Sequence, residues 1–186
     1  MRFADKIWNN IMLLRKKVLV GRNLRVNGRL FIHGDKGGVT FGDNCMVNSS
    51  ESINPTSGIN HSHLVVGHGA KLIIGNHVGM SHVNITAYVG ITIDDNVMLG
   101  SGVKIWDNDF HSINYKDRIN GFHNVNGAPV HICEGAFVGA CSIILKGVTV
   151  GKHSVIGAGS VVTKNIPDGE VWAGNPAKFL KRVASE

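Results

Sequence analysis

Between Trp106 and Ile113 the chain reads WDNDFHSI, and Asp107, Asn108, Asp109 and His111 crowd together there. An imidazole beside carboxylates that can orient it is a candidate proton acceptor, because neutral histidine is available near pH 7. His111 is therefore the first candidate catalytic residue, with Asp109 and Asp107 as its orienting partners. The other reactive side chains point elsewhere. Cys45, Cys133 and Cys141 make an odd set without CxxC spacing, so neither a disulfide framework nor a zinc knuckle is expected. No serine or cysteine sits in a nucleophile setting, and Cys141 has no basic neighbour in sequence to lower its pKa. The pairs His77/His82 and His63/His68 have metal-ligand spacing, but no third histidine follows on an obvious neighbouring element. No metal is expected.

The elements that position His111 follow from a repeat. From Ile132 the chain runs ICEGAF, VGACSI, ILKGVT, VGKHSV, IGAGSV, VTKNIP, and each block opens on an aliphatic residue: Ile132, Val138, Ile144, Val150, Ile156, Val162. The fifth places, Ala136, Ser142, Val148, Ser154, Ser160 and Ile166, are small or β-branched. The same beat occurs in IDDNVM and LGSGVK (Ile93 to Lys104), and more roughly in VGRNLR, VNGRLF, FGDNCM and IGNHVG. Six residues suit a short strand plus a tight turn. Three such sides close a triangular coil, and stacked coils pair their strands in parallel about 4.8 Å apart. The aliphatic residues then form inward ladders, and Gly, Asn and Asp fill the corners. An antiparallel sandwich has no reason to keep a six-residue register.

Bulk composition agrees with one such domain. The chain has 186 residues, 43% hydrophobic and 17% charged, which excludes disorder. Only 6% are aromatic and 24 are Gly, so the core is expected to be aliphatic. Nineteen Lys and Arg against 13 Asp and Glu give a formal charge of +6, which suits an anionic small molecule as well as a larger partner. No RNP-like or zinc-finger pattern points to nucleic acid. The start MRFADKIWNN lacks the apolar run and cleavage site of a signal peptide, and the cysteine usage suits a reducing cytoplasm.

The repeat resembles the left-handed β-helix of the hexapeptide-repeat acyltransferases, and the ending VVTKNIPDGEVWAGNPAKFLKRV (Val161 to Val183) resembles their sugar O-acetyltransferase branch. The expected fold is an all-β solenoid, a left-handed parallel β-helix with short N- and C-terminal helices. Residues 1–18 are an N-terminal helix or cap, 19–166 the β-helix with loop excursions near 49–62 and 112–129, and 167–186 a C-terminal loop and short helix. In the front helix Phe3, Ile7, Ile11 and Leu14 share one face, with Lys6, Arg15, Lys16 and Lys17 nearby. A cap packed on the first coil or a neighbouring subunit is favoured over a membrane-surface anchor, because the charges cluster at one end.

The resemblance also implies a chemistry. It makes His111 the general base of direct acetyl transfer from acetyl-CoA to a sugar or glycoconjugate hydroxyl, with a corner N–H stabilising the oxyanion. It implies that the pantetheine arm lies along Phe137, Gly139, Ala140, Ala158 and Thr163, and that Lys164, Lys178 and Lys181 meet the nucleotide phosphates. Relatives often carry Trp where this chain has Phe137. Ser81, His82, Asn84 and His61 fall near acceptor-contacting positions, and Tyr115 and Arg118 near a lid. Sites shared between facing subunits imply a homotrimer. The alternative is the γ-type carbonic anhydrases, metal-dependent hydratases of the same fold.

Overall fold

The computed structural model describes residues 3–57, 61–121 and 124–184. Apart from two α-helices and one 3₁₀ turn, the described secondary structure is β. Successive strands visit three sheets in rotation. The first sheet holds Leu19–Val20, Val39–Phe41, Leu72–Ile74, Ile91–Ile93, Val130–Ile132 and Thr149–Val150. The second holds Arg25–Gly28, Met46–Ser49, Gly79–Ser81, Met98–Leu99, Phe137–Val138, Val155–Ile156, Glu170–Gly174 and Ala177–Arg182. The third holds Leu30–Gly34, Ser62–Val66, Asn84–Ala87, Lys104–Trp106, Ile143–Ile144 and Val161–Val162. All pairings but the last in the second sheet are parallel.

The six-residue beat becomes inward ladders. Ile74, Ile93, Ile132 and Val150 stand in register on the first sheet and are fully buried. All six block-opening residues from Ile132 to Val162 have zero exposure. The fifth places face inward too, and the buried serines among them keep their hydroxyls satisfied on corner carbonyls: Ser142 donates to Gly157, Ser154 to Pro167 and Ser160 to Gly157. One corner column turns on left-handed residues, Asn44, His77, Asn96, Gly135, His153 and Gly169. His77 is thus a turn residue, for which His, Asn and Gly are suited by tolerance of positive φ.

Four expectations change. The chain leaves the coil at Asp107 rather than Ser112, since the third-sheet strand ends at Trp106 and the next begins at Val130. The excursion carries a short helix, α2, Tyr115–Ile119, N-capped by Asn114. The coil outlasts residue 166: Ile166 bridges Val150, and Glu170–Gly174 adds to the second sheet beside Val155–Ile156. Ala177–Arg182 is a strand, not a helix. It returns antiparallel along Glu170–Gly174 with Trp172 edge-on to Phe179. A helix there would leave the last strand's N–H and C=O groups unpaired at the sheet edge, and a strand satisfies them.

The front helix α1, Phe3–Arg15, forms as expected but turns a different face to the coil. Trp8 Nε1 donates to Leu30 O, and Asn9 bonds Gly28 O and Leu30 N like a missing strand. Met12 and Leu13 pack beside them. Phe3 and Leu14 remain 80% and 77% exposed. The open first-coil edge needs donors and acceptors, and Asn9 supplies both, so polarity rather than the apolar stripe sets the helix's rotation.

Ile132 sits mid-ladder without exposure. Ile132→Ala is expected to cost about 2–5 kcal/mol of stability, the usual loss for a large-to-small core change, measured by urea denaturation at fixed protein concentration.

Candidate functional site

The break at WDNDFHSI is built around a buried carboxylate. Asp107 is wholly buried and accepts backbone N–H bonds from Tyr88, Val89 and Gly90, at 2.7–2.9 Å, plus one from Asn108 Nδ2 at 3.1 Å. These bonds engage both carboxylate oxygens with the backbone and Asn108, a role that the sequence did not suggest beside that of orienting His111. The Asp107 carboxylate ties the first residues of the excursion to the turn of the preceding coil, whose N–H groups no strand of the next coil takes up. Asn108 continues the bracing by accepting from Phe110 N at 2.8 Å and bridging Gly127. Phe110 takes a left-handed backbone angle and stands edge-on to Trp106.

Asp109 lies differently. Its Oδ1 pairs with Lys146 Nζ at 2.5 Å, while its Oδ2 is buried and has no hydrogen-bond partner among the described residues. His111 is exposed, and its backbone N–H donates to Asp109 O. The chain beyond it is held from behind: Arg118 Nη1 donates to the carbonyls of Ser112 and Ile113, and Ser112 Oγ donates to Asp117 Oδ2. Arg118 thus braces the loop, whereas Tyr115 is two-thirds exposed on α2. Sequence reasoning missed Lys146. It sits in the regular block ILKGVT, and only stacking brings it under the excursion.

The remaining candidates distribute over two corner columns. Register places His82, Ser101, Ala140 and Ala158 one above another between the second and third sheets. His82 is fully buried, with Nδ1 3.2 Å from Ser101 Oγ and Nε2 without a hydrogen bond of normal geometry. Burial lowers its pKa and His61 adds to that, against the opposing pull of the Ser50 backbone and Glu51. Ser81 accepts from Asn48, His61 Nδ1 lies 3.1 Å from Ser49 O, and Asn84 stands on the third sheet between His63 and Lys104. Gly139 is required where it is, since a Cβ there would meet Ala158 N at 2.5 Å. Ala158 is exposed and Ala140 partly so, and Phe137 is exposed on the second sheet between Met98 and Val155.

Thr163 and Lys164 follow the third-sheet strand Val161–Val162, on the column that carries Lys146 and the start of the excursion. They do not share the corner of Ala140 and Ala158. Lys178 and Lys181 project from the final strand, opposite Ala173 and Val171. All three lysines are exposed. His77 and His82 flank the strand Gly79–Ser81 and stand at different corners.

Residues 129–164 match the family model "Bacterial transferase hexapeptide (six repeats)". An inferred acetyltransferase of Schizosaccharomyces pombe is 42% identical over 96 residues, 52% of this chain and 45% of that protein. The mitochondrial gamma carbonic anhydrase 2 of Arabidopsis thaliana is 40% identical over 107 residues, 50% of this chain and 38% of that protein. The chain thus spans less than half the length of these relatives. Among solved structures, a maltose O-acetyltransferase from Clostridium difficile is 26% identical with a TM-score of 0.65, covering 97% of this chain and 83% of that one. The Bacillus cereus N-acyltransferase AntD, in complex with dTDP and 3-hydroxybutyryl-CoA, has a TM-score of 0.71 at 19% identity, covering 94% and 88%; at that identity it speaks for the fold alone.

Asp107→Ala would take the acceptor away from the backbone N–H groups of Tyr88, Val89 and Gly90. The expected loss is about 1–3 kcal/mol in urea denaturation, with Asp107→Asn falling between it and the wild type.

Proposed function

The repeat makes this chain a hexapeptide-repeat protein of the kind found among the acyltransferases, and from that premise we propose that it transfers an acetyl group from acetyl-CoA to a hydroxyl of a sugar or glycoconjugate. The observation that carries this reading is the excursion itself: a buried Asp107 clamp and the Arg118 brace hold an exposed histidine where the coil is interrupted. On this reading the coil is a left-handed solenoid, and His111 is the general base. It takes the proton of the acceptor hydroxyl as the oxygen attacks the thioester carbonyl; the tetrahedral intermediate collapses with cleavage of the C–S bond, and the imidazolium returns the proton to the departing sulfur, so that coenzyme A leaves as the thiol and His111 is neutral again. Asp109, rather than Asp107, is the carboxylate left to stabilise the imidazolium: Lys146 fixes one oxygen and the other has no hydrogen-bond partner among the described residues.

The donor would run beside Phe137, Gly139, Ala140 and Ala158, where the small side chains leave backbone accessible, with Thr163, Lys164, Lys178 and Lys181 toward the phosphates. These residues occupy more than one corner of a single coil, so a groove formed with a neighbouring copy suits them better than one chain alone, and we read the assembly as a homotrimer. His61, Ser81, His82 and Asn84 are offered as acceptor contacts; His82, being buried, would act through its neighbours unless the acceptor reaches Nε2. The gamma carbonic anhydrase relative supports the alternative of a metal-dependent hydratase. Against it, His77 and His82 stand at different corners, and although His33, His61 and His63 gather around Phe31, among the described residues of one chain no three histidines hold their ring nitrogens within ligating distance of one another.

His111→Ala is expected to lower kcat for acetyl transfer by roughly 10²–10⁴-fold, with the coil intact by circular dichroism and acetyl-CoA still bound by calorimetry. A folded variant with wild-type turnover removes this mechanism. Replacing Lys164, Lys178 and Lys181 together by Ala is expected to raise KM for acetyl-CoA while leaving kcat nearly unchanged, and the difference between wild type and variant should shrink as salt screens the phosphate contacts.

A further inference from the structure

One corner of the solenoid breaks its own rule. At the turn after each first-sheet strand, a carboxylate or amide of one coil accepts the backbone N–H of the coil before. Asp43 takes Arg22 N, Asn76 takes Asp43 N, Asp95 takes Asn76 N, and Asp168 takes Lys152 N, each at 2.7–2.8 Å. The residue before each N–H donor just named is then forced to be small wherever that acceptor fills the space. A Cβ on Gly21, Gly42, Gly75 or Gly151 would meet the acceptor oxygen at 2.4–2.7 Å. In two adjacent coils the acceptor position holds Glu134 and Lys152 instead, and these two face each other at 3.6 Å. The positions that are glycine elsewhere in the column are there Asp94 and Cys133.

With that space open, three side chains converge. His131 Nε2 lies 2.9 Å from Asp94 Oδ2, and His131 Nδ1 lies 3.9 Å from Cys133 Sγ. One ligand atom from each of the three lies within 4.8 Å of the others. We propose that Asp94, His131 and Cys133 form a binding site for a divalent transition-metal ion of the zinc type, on the outside of the coil and separate from the acyl-transfer machinery.

The donor set supports the ion class. Thiolate, imidazole and carboxylate together suit Zn²⁺, at about 2.3, 2.0–2.1 and 2.0–2.2 Å, and are a poor match for Ca²⁺ or Mg²⁺, which take oxygen ligands. His131 and Asp94 are 45% and 34% exposed, so water can complete the coordination. Metal binding by Cys133 takes the thiolate form, which a bound cation stabilises directly. The ion would join two successive coils at the corner where their N–H···carboxylate ladder is interrupted, replacing a lost cross-coil tie with a stronger one.

The test uses the full chain, without a histidine tag and stripped of metal, titrated with CoCl₂. The expected result is a thiolate-to-cobalt absorption band in the near ultraviolet that saturates at one ion per chain and disappears on addition of ZnCl₂. Cys133→Ser should abolish the band, and His131→Ala should lower apparent affinity at least about tenfold. Both side chains lie outside the core, and circular dichroism verifies the fold of each variant. Three outcomes each overturn the proposal: no cobalt binding, binding without a thiolate band, or a band that survives Cys133→Ser and so belongs to Cys45 or Cys141.

Discussion

Parallel pairing of each coil with the next is the constraint on which everything else here depends. Once Ile93 is opposite Ile132, and Ile132 opposite Val150, every residue of the coils between them has its place along the column decided. A one-residue slip would turn the inward aliphatic ladder to solvent and bring polar corners inside. The register therefore tolerates little variation within a side of the triangle. Extra chain can enter only at corners, where leaving the coil does not shift the strands that follow. Both departures obey this: the chain leaves after the second-sheet strand Met46–Ser49 and rejoins at Ser62–Val66, and leaves after the third-sheet strand Lys104–Trp106 and rejoins at Val130–Ile132.

Leaving the coil has its own cost, and the structure offsets it with polar side chains. A turn deprived of its coil partner exposes or buries unpaired backbone, and Asp107 meets that need for the turn at Tyr88–Gly90. Asn9 does the same for the first coil's edge, and the final antiparallel strand for the last. In each case the residue type follows from the donors and acceptors left over. The same logic runs through the corner ladder of Asp43, Asn76 and Asp95, and it explains why glycine recurs beside it. Where the ladder lapses, side chains with other chemistry have room.

How the candidate acyl-transfer residues are arranged follows from the same geometry. Lys146 reaches Asp109 because it stands on the column from which the excursion leaves, although 37 residues separate them in sequence. Ala140 and Ala158 stack because their strands pair, while Thr163 and Lys164 stand one corner further along the same coil. Distance along the chain says little here, and position within the six-residue block says a great deal.

The sequence alone determined the three-sided coil and its inward ladder, because a strict period of six records burial directly and each block needs only its neighbours; it also marked roughly where the coil is interrupted, though the second departure begins at Asp107 and not at Ser112. His111 stood out as a candidate for a related reason: it stands where the period stops. Other features needed the tertiary structure. The apolar spacing of Phe3, Ile7, Ile11 and Leu14 did not show which face of α1 meets its own coil, since the first-coil edge selects Asn9 by hydrogen bonding. Pro176 and the residues after it read as a helix, yet an unpaired edge drew them into a strand. Asp107 and Asp109 looked equivalent beside His111, and stacking gave one to the backbone and the other to Lys146. The meeting of Asp94 with His131 and Cys133 lies across two coils and leaves no local pattern. Local periodicity encodes what each residue does within its own coil; which side chains meet across coils depends on the stacking register, and that exists only once the chain has folded.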